Sequence, residues 1–144
     1  MRSVLALAAS ALAGLAAVIA SLDGDADIVP FFAGLTLLGG IGALAAHPPF
    51  EGPRRRIAQG ATLLWVLAAV WVGVLLVMSV TVWQASSPPP RPEDTYLGLT
   101  ATVYHLVGLY AGAALMLLSA FGPDRWLGER GTSATGSTSE GVMG

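Results

Sequence analysis

The chain has no cysteine and no lysine, and only 11% of its 144 residues are charged. Without cysteine there can be no disulfide, thiolate metal site, thiol nucleophile or dithiol redox pair. Without lysine there is no Schiff-base amine and no P-loop lysine to grip a phosphate. Soluble domains carry roughly 25% charged residues, so this shortage argues against a free soluble domain. Seven arginines against nine acids give a net charge of −2, which leaves no global basic field to draw in nucleic acid. An arginine-only, alanine-rich chain points to a GC-rich bacterial genome.

What the chain has instead is 54% hydrophobic residues and 18 glycines. The apolar residues form four blocks, at about residues 3–22, 28–46, 57–83 and 96–121. A helix needs about 20 residues to cross a hydrocarbon core about 30 Å thick, and the surplus length of the last two blocks could be absorbed by tilt. The expected fold is an all-α integral membrane four-helix bundle over residues 1–128. The remainder, 129–144, is small and polar, and is expected to be a disordered cytoplasmic tail. Arg2 followed by an apolar run ending near Val18-Ile19-Ala20 also resembles a signal peptide, but the run exceeds the usual 7–15 residues, so it is expected to remain as the first span.

Helix signals mark the block edges. Asp27 precedes the second block with Pro30 in its first turn, where a carboxylate can cap free N–H groups and proline loses little. His47-Pro48-Pro49 should end that helix. Ser86-Ser87-Pro88-Pro89-Pro90-Arg91-Pro92 should be extended polyproline II, with Asp94 or Thr95 capping the fourth span. Six arginines (Arg2, Arg54, Arg55, Arg56, Arg125 and Arg130) fall on one side and Arg91 alone on the other. The positive-inside rule then predicts both termini in the cytoplasm, with the protein in the inner (plasma) membrane. Phe31, Phe32, Trp83 and Tyr96 would mark the outer interface, and Phe50, Phe121 and Trp126 the inner one.

His105 is the strongly titratable residue placed well inside a span, which makes it a functional candidate by default. At 100° per residue it shares a face with Gly98, Ala101, Gly108, Gly112, Met116 and Ser119, opposite Val103, Val107, Ala114, Leu118 and Phe121. Gly108 and Gly112 have the GxxxG spacing of close helix packing. His105 could be a ligand site or proton relay, with Tyr104, Thr100 and Thr102 as polar neighbours. The competing reading is a neutral histidine hydrogen-bonded across a helix interface. His47 ends the second span at the opposite face, so the two histidines are too far apart in depth to share a haem iron, and no cofactor or metal is expected.

The second block contributes Gly39, Gly40 and Gly42 as packing glycines, and the first has Ala9, Ala13 and Ala17 at four-residue spacing. Arg54, Arg55 and Arg56 are expected to set topology and touch lipid headgroups. Asp23-Gly24-Asp25-Ala26-Asp27 resembles the opening of a calcium loop, but position twelve is Gly34 in place of the bidentate glutamate. A non-positive outer loop accounts for it.

Four spans in a short chain invite comparison with small multidrug transporters and quinone-type reductases, but the membrane carboxylate of the first and the paired cysteines of the second are missing. The run Leu99-Thr100 to His105 and Gly108 looks like a helix of haem-copper oxidase subunit III, without that subunit's intramembrane carboxylate. That resemblance implies accessory membership of a respiratory complex by analogy only. The expected function is a non-enzymatic accessory or scaffold subunit, with the lipid bilayer and either itself or a larger membrane protein as partner. The alternative is a small transporter or ligand-binding bundle with His105 near the site.

Overall fold

A computed structural model describes residues 1–85 and 92–127, and of residues 80, 82–85 and 92–102 the backbone alone. The chain forms four helices: α1 (Arg2–Asp23), α2 (Val29–Ala45), α3 (Gly52–Ala85) and α4 (Pro92–Phe121). α1 packs most extensively on α2 and α4, and α3 closes the ring between α2 and α4. Among the described residues the diagonal pair α1 and α3 brings no Cα atoms within 8 Å of each other. Three helices contain stretches long and apolar enough to cross a membrane, and α2 is a shorter apolar helix of 17 residues.

The distribution of side-chain size reverses the pattern of a water-soluble core. α1 buries Ala6, Ala9, Ala13, Ala16 and Ala20 and exposes Val4, Leu7, Leu15, Val18 and Leu22. Alanines recurring at three- and four-residue intervals line one helical face, and their small volume lets backbones approach closely. The central cluster adds Phe32, Leu35, Trp65, Leu109 and Met116 to Ala6, Ala9, Ala13 and Ala16.

The helix ends differ in detail from the expected boundaries. α2 begins after Ile28, with Pro30 in its first turn and no side-chain cap, so Asp27 does not cap it. α1 ends on Gly24 in the left-handed region (φ 83°), with the Asp25 N–H returning to the Ala20 carbonyl. Glycine adopts this conformation without the β-carbon penalty. α3 starts at Gly52, earlier than residue 57, so the arginine triplet lies on its first turns. α4 starts at Pro92, earlier than residue 96. Proline suits a first helical position because its missing N–H would be unpaired there anyway. Asp94 and Thr95 therefore fall inside the helix instead of capping it. The expected polyproline segment 86–91 and the tail from residue 128 lie outside the described residues.

Arg2, Phe50, Ala58, Ala120 and Asp124 meet at one end of the bundle, so α1 begins where α4 ends. Arg54, Arg55, Arg56 and Arg125 share that end, whereas Asp23, Asp25 and Asp27 occupy the other, all of them exposed.

Candidate functional site

The tight interfaces share a construction in which a side-chain donor on one helix reaches a backbone carbonyl on the next. Ser10 Oγ donates to the Thr36 carbonyl at 2.7 Å between α1 and α2. Between α3 and α4, Trp65 Nε1 donates to the Leu109 carbonyl (2.9 Å), Tyr110 Oη to that of Ala69 (2.8 Å), and Thr62 Oγ1 to that of Met116 (3.2 Å). Between α1 and α4, Arg2 donates to the Ser119 and Gly122 carbonyls and pairs with Asp124, while Ser119 Oγ returns a bond to the Arg2 carbonyl. Among the described residues the α2–α3 interface has no such tie, and a cleft opens there.

That cleft, of about 360 Å³, lies between Asp27 in the loop before α2, Phe31 and Phe32 on α2, Trp71, Val72 and Leu75 on α3, and His105 and Leu109 on α4. Pockets that hold small molecules start at roughly 300 Å³. Its wall is apolar and aromatic apart from His105 and, at the rim, the exposed carboxylate of Asp27. His105 is 8% exposed, and its ring lies 5.3 Å from that of Phe32, tilted by 33°. Its Nε2 is buried and has no hydrogen-bond partner. Leaving a buried polar atom unpaired costs about 1–3 kcal/mol.

The predicted helical face of α4 holds: His105, Gly108, Gly112, Met116 and Ser119 are buried, and Val103, Val107, Leu118 and Phe121 are exposed. Tyr104 is exposed and does not join His105 in the cleft. Gly98, Ala101, Thr100 and Thr102 belong to the stretch of α4 described by its backbone alone. Three further expected packing glycines are tightly enclosed. A β-carbon at Gly39 would lie 2.7 Å from Ser10 Cβ, one at Gly42 would lie 2.8 Å from Met116 Cε, and one at Gly108 would lie 3.2 Å from Ala16 Cβ. Gly112 faces the Trp65 indole, whose Cε2 would be 3.1 Å from an added β-carbon. At Gly40 nothing within this chain lies within 4 Å of the β-position, because one residue turns the chain by 100° and carries it off the α1 contact.

Arg54, Arg55 and Arg56 are exposed. Arg2, counted with them as a topology signal, is 2% exposed and stacks over Phe50 at 4.7 Å in addition to its bonds to α4. Sequence reasoning missed Trp65, and it gave Phe32 an interfacial place where the structure buries it against His105; both roles depend on the partner that another helix presents. No group of three His, Asp or Glu side chains among the described residues is placed to hold a metal ion. Comparison with family models, curated protein sequences and solved structures finds no match for the chain.

Proposed function

We propose that this protein is an integral membrane bundle that binds a small, mainly apolar molecule in the cleft beside His105. Membrane insertion is supported by the exterior of Leu, Val and Ile over an alanine and glycine interior, an arrangement that would aggregate in water and costs nothing in lipid. The gathering of Arg2, Arg54, Arg55, Arg56 and Arg125 at one end, with none at the end that holds Asp23, Asp25 and Asp27, supports placing both termini on the cytoplasmic side. The burial of the α1 alanine face and of Arg2 favours retention of α1 over its removal as a signal peptide. At 1.5 Å per residue α2 spans about 26 Å, a modest mismatch that local thinning or interfacial aromatics can absorb.

The observation that carries the ligand reading is the buried, unpartnered Nε2 of His105 in a cleft of ligand size. A ligand with one hydrogen-bonding group would satisfy that atom, and Phe31, Phe32 and Trp71 would hold its apolar body. The reading is one of binding, not catalysis, since among the described residues no nucleophile and base stand together at this site. A scaffold or accessory role is less favoured because Gly39, Gly42, Gly108 and Gly112 meet partners within this chain and are not left for another one.

The test is extraction of the protein from its native membrane in mild detergent, followed by mass spectrometry of co-purifying small molecules. The parent chain should carry an apolar molecule with a hydrogen-bonding group that a folded His105→Leu variant lacks. Identical extracts from the two proteins would refute the proposal.

A further inference from the structure

A second concavity, of about 760 Å³, runs along the outer surface between α1 and α2. Its floor and sides are Val4 and Leu7 of α1 and Leu37, Gly40, Ile41 and Leu44 of α2, and Arg54 and His47 stand at one end. From Thr36 to Leu44 the groove extends about 12 Å along the helix axis. Two features set it apart from an ordinary ridged helix surface. Gly40 leaves its middle open, with nothing within 4 Å of the β-position. At its polar end the guanidinium of Arg54 is exposed and forms no ion pair among the described residues, with Arg55 and Arg56 following it. Asp124, the acid brought to this end by α4, is already paired with Arg2.

We propose that this groove seats one acyl chain of an anionic glycerophospholipid, whose phosphate sits at Arg54. The apolar channel supplies contact for the chain and the arginine end supplies charge complementarity for the headgroup, in the order and spacing in which a lipid carries them. A cytoplasmic leaflet is rich in such lipids, and each arginine near an anionic surface is worth about fivefold in affinity. The site lies on a different face from the His105 cleft and shares with the ligand reading only membrane insertion, so either can fail without the other.

The test uses the full chain in bilayer discs of phosphatidylcholine with a minority of phosphatidylglycerol, followed by native mass spectrometry. The parent should retain one phosphatidylglycerol in preference to phosphatidylcholine. Arg54→Gln should lower that retention about fivefold, and Gly40→Phe should abolish it with every arginine still in place. A second measurement guards against a folding defect in Gly40→Phe. The chain has no cysteine, so Leu37→Cys accepts a single fluorophore in the groove, which brominated phosphatidylglycerol should quench more strongly than brominated phosphatidylcholine. Equal retention or equal quenching by the two lipids would overturn the proposal. So would a folded Gly40→Phe that keeps its phosphatidylglycerol, because attraction to the headgroup would then operate without the groove.

Discussion

Gly39 and Gly40 are adjacent in the chain, yet the structure predicts opposite outcomes for the same substitution. At Gly39 a methyl group would lie 2.7 Å from Ser10 Cβ, 2.8 Å from Ser10 Cα and 2.9 Å from the Ser10 nitrogen. Two of these three atoms are backbone, so no side-chain rotation relieves the clash. Ordinary carbon contacts lie at about 3.5–4.0 Å, which requires α1 and α2 to separate by about 1 Å at the crossing. A gap of 0.5–1 Å forfeits a quarter to a half of the dispersion energy of facing atoms, and overpacking typically costs 1–3 kcal/mol. The same separation would stretch the 2.7 Å bond from Ser10 Oγ to the Thr36 carbonyl, an interhelical bond worth about 0.6 kcal/mol in a membrane protein. Alanine also gains up to about 1 kcal/mol of helix propensity over glycine, so Gly39→Ala should destabilise the bundle by about 0.5–2.5 kcal/mol net. Gly40→Ala meets nothing within 4 Å and should be neutral or stabilising by up to about 1 kcal/mol through helix propensity. Unfolding in mixed micelles titrated with denaturing detergent, followed by tryptophan fluorescence, measures both. Equal effects at the two positions would refute the proposed register of α1 on α2.

Gly112→Ala should cost about 1–3 kcal/mol through its clash with Trp65, and in a Trp65→Phe background the penalty should shrink, a coupling that a double-mutant cycle in the same assay detects. Arg2→Met should cost about 2 kcal/mol because it deletes the bonds that hold α1 to the end of α4. Asp124→Asn should cost under about 1 kcal/mol, since the Asp124 side chain is 68% exposed and water already screens the pair. His105→Leu should raise stability by about 1 kcal/mol or more by removing an unpaired buried nitrogen, while ligand retention falls. A measured loss of stability would mean that His105 has a structural partner after all.

Much of the architecture is legible in the sequence because a helix long and apolar enough to cross a membrane shows itself as one continuous apolar run, and that pattern is local. The four helices, the face of α4 carrying His105, Gly108, Gly112, Met116 and Ser119, and the stop at His47-Pro48-Pro49 all follow from residue spacing and backbone chemistry. The helix starts were less legible. Proline can open a helix ahead of its apolar run, as Pro92 does, and the first turns can carry charge, as Arg54 to Arg56 show.

Which glycines would be enclosed, and by what, depends on how helices far apart in sequence come together. Gly39 and Gly40 have the same composition and propensity, and only the position of Ser10 on α1 distinguishes them. Arg2 has the sequence character of an exposed topology signal, yet it is buried because α4 ends beside it with free carbonyls. His105 could have been interhelical glue or a ligand donor. Whether its Nε2 finds a hydrogen-bonding partner depends on what the neighbouring helices present, and among the described residues none is offered. Local chemistry thus determined that there would be four apolar helices, while close packing between distant segments decided which buried polar groups find a partner and which do not.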